Sequence, residues 1–434
     1  MKANTKKSVG DRHQRKNLDW LWLIFMISVF IFPLFPALGV AGILFVIIKS
    51  GQKNFSEIIA SRLNRTLAII SLLFILSSVF AHQPQEAWLG LANFLPFFLL
   101  FVTIRSIIKD LTQLRQLSWI LILPSLPIVI LGLGQLYFGW HSASIVRTIL
   151  GWNLVAGGEP AGRMSAVFIY TNFLAIYLAI AFSLALGLWL KTWQNWHLKS
   201  TRKLTLTWLW LTLIIIADLS GLILTSSRNA WGLAIISFMA YAIYMGWRWL
   251  VYGITGAATA ILWASFAPQF GGTKLRAIVP AFFWSRLSDQ DYERPIETLR
   301  ITQWQFCLDL IKERPWFGWG LRNFTPLYEA KMNFWFGHPH NLFLMLGAET
   351  GIISVLLFII LITSIFLKAV KLMLTWSFKG SKLIFFSYLL AFSGCVLFNL
   401  LDVTIFDLRI NTISWILLSA ISGVVTEKSK SAIA

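Results

Sequence analysis

Only two cysteines occur in the 434 residues, Cys307 and Cys395. One stands in a long polar segment and the other inside an apolar run, so no disulfide is expected between them and no metal-ligand spacing exists. Charge is scarce as well, at 13% of the chain, and acid is the scarcer sign, with 18 Asp and Glu against 37 Lys and Arg. A net charge of +19 would suggest nucleic acid if the basic residues shared a face. They sit instead in short segments between apolar blocks, with no RNA- or DNA-binding pattern, which excludes a nucleic-acid partner.

What is abundant is apolar surface. The chain is 57% hydrophobic, with 22 Trp and 35 Phe, and its apolar residues fall in blocks long enough to cross hydrocarbon, which takes about 20 residues as helix. The expected fold class is all-α: a polytopic helical membrane protein of about twelve transmembrane helices, with one long outward-facing loop containing short helices. The spans are expected at about 18–34, 36–49, 66–81, 88–104, 117–138, 166–190, 207–224, 229–246, 249–267, 341–367, 383–401 and 408–425. The basic stretch before the first run resembles a secretory leader, but no small-residue cleavage pattern follows, so that run reads as a retained signal anchor. Pro124 and Pro127 should kink the fifth span.

Charge orients the spans. With the N-terminus in the cytoplasm, most Lys and Arg fall inside, whereas only Asp11, Asp19, Glu57, Asp110 and Glu427 of the 18 acidic residues do. The positive-inside rule then places both termini in the cytoplasm. The expected organisation is a basic N-terminus (1–17), a bundle of about nine helices (18–267), an outward subdomain (268–340), three further helices (341–425) and a tail (426–434). For a bacterial inner-membrane protein the subdomain would be periplasmic. Within it, Pro295 suits the first turn of a helix running to about Glu313, with Ile296, Leu299, Trp304, Cys307, Leu308 and Ile311 as its apolar stripe.

Arginines on the outward side break the charge bias and need a local reason. Arg228 lies in a tight turn, Ser227-Arg228-Asn229-Ala230-Trp231; Arg163 precedes Tyr170-Thr171-Asn172; Arg300 lies in the long loop. Arginine presents paired donors that match phosphate oxygens. Two or three of them converging would hold a lipid diphosphate as a leaving group without a divalent cation. A neutral histidine beside them, from Gly337-His338-Pro339-His340-Asn341, would take a proton from an attacking hydroxyl. Glu349 follows a little way into the apolar zone, where a carboxylate is costly unless used. The residue pattern therefore points to group transfer from a lipid diphosphate.

The order Ser-Arg-x-Ala-Trp at Ser227–Trp231, Arg-x-x-x-Trp at Arg300–Trp304, Glu-Arg-Pro-Trp-Phe-Gly-Trp-Gly at Glu313–Gly320, His-Asn-x-x-Leu at His340–Leu344 and Glu-x-Gly at Glu349–Gly351 resembles the O-antigen ligase and polymerase superfamily, over about 165–365. The resemblance implies a metal-independent, inverting membrane glycosyltransferase without a cofactor. It would move a glycan from an undecaprenyl-diphosphate carrier to a lipid, protein or glycan acceptor on the outer face of the inner membrane. It implies His340 as general base, Arg228 and Arg300 as the diphosphate clamp, Arg163 as a further substrate contact, and Asn341, Glu349 and His338 as supporting residues. Thr171 stands where relatives commonly carry proline.

Three other readings stay open. Asn341 also suits the N-cap of the following helix. Asp289-Gln290-Asp291 is a candidate metal pair, although a solvated turn is the simpler reading. Asp218, midway along an apolar span, is the residue that favours a transporter, a label given to putative inorganic-carbon relatives, although no inverted repeat is legible.

Overall fold

The computed structural model describes residues 20–288, 295–376 and 379–433. The basic N-terminus and the Asp289-Gln290-Asp291 pair therefore lie outside the described residues. Among those described there are no strands. The helices are α1 (Trp20–Ile31), α2 (Pro36–Lys53), α3 (Phe55–Ala60), α4 (Arg62–Val79), α5 (Pro84–Leu91), α6 (Leu95–Ile107), α7 (Leu111–Ile122), α8 (Ser125–Tyr137), α9 (Ser144–Leu150), α10 (Thr171–Leu198) and α11 (Arg202–Leu224). They continue with α12 (Arg228–Met245), α13 (Arg248–Phe266), α14 (Gly272–Arg276), α15 (Ala281–Ser288), α16 (Arg300–Glu313), α17 (Phe324–Met332), α18 (Leu342–Thr350), α19 (Ile352–Thr375), α20 (Lys379–Phe398) and α21 (Leu408–Ile433).

Eight helical stretches among the described residues are long and apolar enough to cross a membrane, and α1 and the Lys382–Phe398 part of α20 are shorter apolar stretches. The chain is thus a multi-pass membrane protein, with fewer stretches meeting that criterion than the twelve expected. Part of the difference lies at the start, where α1 ends at Ile31, just before Pro33, and is too short to count; the break that Pro124 caps between α7 and α8 falls inside one stretch, Leu111–Tyr137, and removes none.

The expected span 341–367 is two helices, because Gly351 turns the chain between α18 and α19. Its φ of 83° and ψ of 164° are open to glycine alone, and a Cβ there would run into the Trp316 carbonyl. The expected helix from Pro295 also changes. Residues Ile296–Thr298 form a single 3-10 turn, Leu299 is extended, and α16 begins only at Arg300. Its buried side is Gln303, Phe306, Cys307 and Leu310, while Leu308 and Ile301 are exposed.

Packing is centred on α10, which is apolar on every side and buried along almost its whole length against α7, α11, α12 and α20. By contrast α13 keeps Trp249, Tyr252, Leu262 and Phe266 exposed, the pattern of a helix whose partner is lipid. Asp218 on α11 is buried in the bundle. A second, smaller core joins Phe306, Cys307 and Leu310 of α16 to Phe324 and Tyr328 of α17 and Ala348 of α18. Phe324 and Tyr328 stack at 5.1 Å between ring centroids. This small core carries the segment 337–341.

Gly351→Ala is expected to lower the thermal midpoint of the detergent-solubilised protein by several degrees, since forcing a Cβ into this conformation costs about 1–3 kcal/mol. Fluorescence-detected size-exclusion melting would measure it, and an unchanged midpoint would contradict the steric argument.

Candidate functional site

Two chain reversals and two helix starts meet at one end of the bundle. After Leu224 the chain turns through Ser226, at a φ of 50°, into α12, so that Arg228 is the first residue of that helix. Arg300 is likewise the first residue of α16. The unpaired N–H groups of a helix start favour an anion, and a guanidinium there adds to the same field.

Arg163 is aimed by its surroundings. Its Nε donates to the Thr225 carbonyl at 2.8 Å and its terminal nitrogen to Asn172 Oδ1 at 3.2 Å. Thr171 fixes this corner: its buried hydroxyl lies 2.7 Å from the Met164 carbonyl and 3.0 Å from that of Thr225. A proline at this place lacks that hydroxyl, so the departure noted in the sequence adds a tie between the loop before α10 and the turn before α12.

The histidine segment is tied at every step. Thr325 donates to the Gly337 carbonyl and the Trp304 indole to that of Pro339, both at 3.0 Å. Asn341 caps α18, accepting from Phe343 and Leu344 N–H groups at 3.1 and 3.0 Å, and its amide donates to Leu400. Such a cap contributes about 1 kcal/mol. Between them His340 is held at a φ of 52°, a region that non-glycine residues visit seldom and where strain concentrates at working sites.

These elements enclose a cavity of about 260 Å³ lined by Arg163, Tyr170, Asn172, Ser226, Arg228, Arg300 and His340, among others, and no carboxylate lines it among the described residues. The structure thus brings His340 together with all three arginines singled out in the sequence. Asn341 supports the segment as an N-cap. His338 adjoins His340, with ring centroids 4.6 Å apart. Glu349 does not line this cavity; it is buried and accepts the Phe324 N–H at 3.2 Å.

The residue that sequence reasoning missed is Asp402, in the turn between α20 and α21. Its buried carboxylate stands 3.2 Å from His340 Nδ1 and 3.6 Å from His338 Nε2, and accepts from Asn172 Nδ2 at 2.6 Å and the Val403 N–H at 2.8 Å. Burial pushes its pKa up, but the bond with His340, the second imidazole and the Val403 N–H outweigh it and hold Asp402 below the ordinary carboxylate value. An ionised Asp402 accepts a hydrogen bond from the Nδ1–H of His340, which leaves the Nε2 lone pair available. Arg163, Asn172, Asp402 and His340 form one hydrogen-bonded chain. The signal for Asp402 was an acid in a short outward connection; no motif marked it.

Burial lowers His338 to about 4, despite the opposing pull of Asp402, so it is neutral at physiological pH. Its Nδ1 accepts the His340 backbone N–H at 3.2 Å, which leaves the ring proton on Nε2, facing Asp402. His338, His340 and Asp402 have the ligand atoms and spacing of a metal site, within 4.8 Å of one another. In the arrangement described, however, both rings turn protons toward the carboxylate. A cation would have to displace both protons and His338 would have to release the backbone N–H.

Residues 211–359 match the family model described as O-antigen ligase, which takes in Arg228, Arg300, His340 and Glu349 and leaves out Arg163, Asn172 and Asp402. No curated protein matches the chain.

Burial raises Glu349 from 4.5 to about 8, against the pull of the Phe324 and Arg322 N–H groups. A carboxyl whose folded pKa exceeds its unfolded value stabilises the fold below the unfolded pKa, and that contribution is lost as pH rises through the folded one. Thermal stability should therefore fall between about pH 4.5 and pH 8, and Glu349→Gln should flatten the fall. Parallel wild-type and variant slopes in a pH-resolved melting series would count against a neutral Glu349.

Proposed function

From the O-antigen ligase match over residues 211–359, we propose that this membrane protein transfers a glycan from an undecaprenyl-diphosphate donor, with His340 as base and Arg228, Arg300 and Arg163 as the diphosphate clamp. At the level of the family, the match supports ligase- or polymerase-type glycan transfer from lipid-linked substrates. The observation that carries the finer reading is the cavity that His340 lines together with three arginines and, among the described residues, no carboxylate.

The chemistry follows from the geometry. The diphosphate lies among the arginines and the two helix starts, where its charge is already compensated. An acceptor hydroxyl donates its proton to His340 Nε2 as its oxygen attacks the anomeric carbon. The new carbon–oxygen bond forms as the bond to the diphosphate oxygen breaks, and the leaving diphosphate keeps the electron pair. One in-line displacement inverts the anomeric centre. The charge that appears on the leaving group meets fixed guanidinium groups, and the charge on the imidazolium meets Asp402. Neither step requires a metal.

With the cytoplasmic N-terminus that charge counting favours, this end of the bundle faces the periplasm from the inner membrane, and 268–340 is the outward subdomain. The acceptor is a lipid, protein or second glycan, which separates a ligase from a polymerase. The transport reading rests on Asp218, which does not line the arginine cavity.

His340→Ala should reduce transfer at least about a hundredfold while leaving expression and insertion intact, and Asp402→Asn should cost a comparable factor by favouring the wrong tautomer. Retained transfer in His340→Ala, assayed with reconstituted protein and extracted lipid-linked glycan, would remove the assigned base. Arg300→Lys should recover only part of the activity lost in Arg300→Ala, since a lysine lacks the paired donors. Transfer should also persist in EDTA; complete loss on metal removal would overturn the arginine mechanism.

A further inference from the structure

We propose that a second cavity, across the histidine pair from the arginines, binds the acceptor, and that it selects a neutral, hydroxyl-rich sugar over a phosphorylated one. This rests on the reading of His340 as the base of a glycan transfer.

The second cavity measures about 560 Å³, and Glu86, Arg322, Glu329, Trp335, His338 and Phe406 are among its lining residues, with Glu349 also reaching it. The two cavities meet at the histidines. His340 lines the first and His338 the second, their rings standing edge to face at 88°. Phe406 lies against the far side of His338, at 6.1 Å and 21° between ring planes. A ligand held in the second cavity therefore needs to reach only past His338 to bring one hydroxyl to His340 Nε2.

The chemistry of the two cavities differs. The first is lined by three arginines and, among the described residues, no carboxylate. In the second the one arginine is already engaged: Arg322 Nε donates to Glu86 at 2.9 Å. Glu329 remains exposed, so a phosphate here would meet an uncompensated carboxylate and no uncommitted guanidinium among the lining residues. Trp335 is 66% exposed and supplies a flat apolar surface beside these acceptors. A sugar ring has what such a site satisfies, an apolar C–H face to lie on an indole and hydroxyl groups to donate to carboxylates. The volume suits a short oligosaccharide end.

The test uses full-length protein reconstituted in vesicles, with lipid-linked donor from the parent cells. The acceptor probe is the neutral surface glycan released from the same cells by mild acid, compared with its phosphorylated fraction. Trp335→Ala should raise the acceptor KM about tenfold and leave the donor KM within about twofold, and Glu329→Gln should make the phosphorylated fraction a better acceptor. Arg228→Ala should do the reverse, moving the donor KM and sparing the acceptor KM. An acceptor KM unchanged by Trp335→Ala, or a shift in the donor KM instead, would overturn the placement. Loss of discrimination against the phosphorylated fraction in the wild type would overturn the selectivity. If the wild type transfers nothing, the glycan-transfer reading is what has failed. Saturation-transfer NMR with the neutral glycan then decides the site by itself: binding lost in Trp335→Ala supports it, and binding that is absent, or equal in both proteins, refutes it.

Discussion

A carboxylate buried at the head of a helical bundle must find donors, and Asp402 finds them on three separate parts of the chain: Asn172 in the first turn of α10, the histidine segment before α18, and its own neighbour Val403. Each donor belongs to an element with a different task. Asn172 also accepts from Arg163, so the arginine side and the histidine side of the cavity are joined through one negative charge. A side chain that merely filled this volume would leave Asn172 and both imidazoles without a common acceptor. The register of α10 against the turn between α20 and α21 thus sets where the His340 ring points.

The histidine pair is also a boundary in charge. Arginines gather on one side of it, while carboxylates and aromatic rings gather on the other, within a protein where charge is scarce. On the proposed reading, opposite preferences on the two sides of one imidazole pair give orientation without moving parts: a diphosphate ester and a hydroxyl would approach from one side each. The small core of α16, α17 and α18 supplies the rigidity this requires, since Trp304 and Thr325, which hold the histidine segment, lie on α16 and α17.

Much of this was legible in the sequence, for definite reasons. Hydropathy marks helices, and the turn at Ser227–Trp231 announced itself because an arginine on the outward side contradicts the charge bias. His340 and Asn341 were legible because a polar pair stands where an apolar run begins. What could not be read were the breaks and the long-range partners. The break at Gly351 depends on the Trp316 backbone lying against it, and the late start of α16 at Arg300 depends on Leu299 being extended, both matters of tertiary contact. Asp402 sits 62 residues beyond its imidazole, outside the stretch that matches the family, and nothing local to it betrays a partner. Thr171 stands where the family resemblance implies proline, and only the geometry shows its hydroxyl tying two turns together.

The turn from Leu224 to Arg228 has one more consequence. Because α11 is an apolar span that ends only a few residues before Arg228, the arginine cavity sits at the end of a span. On the proposed reading, a donor whose diphosphate docks there keeps its polyprenyl tail among the acyl chains throughout, so it never crosses water to reach the protein. Its search is two-dimensional. The quantity that governs occupancy is then its mole fraction in the leaflet, and diluting the membrane with inert lipid starves the site as surely as withholding substrate.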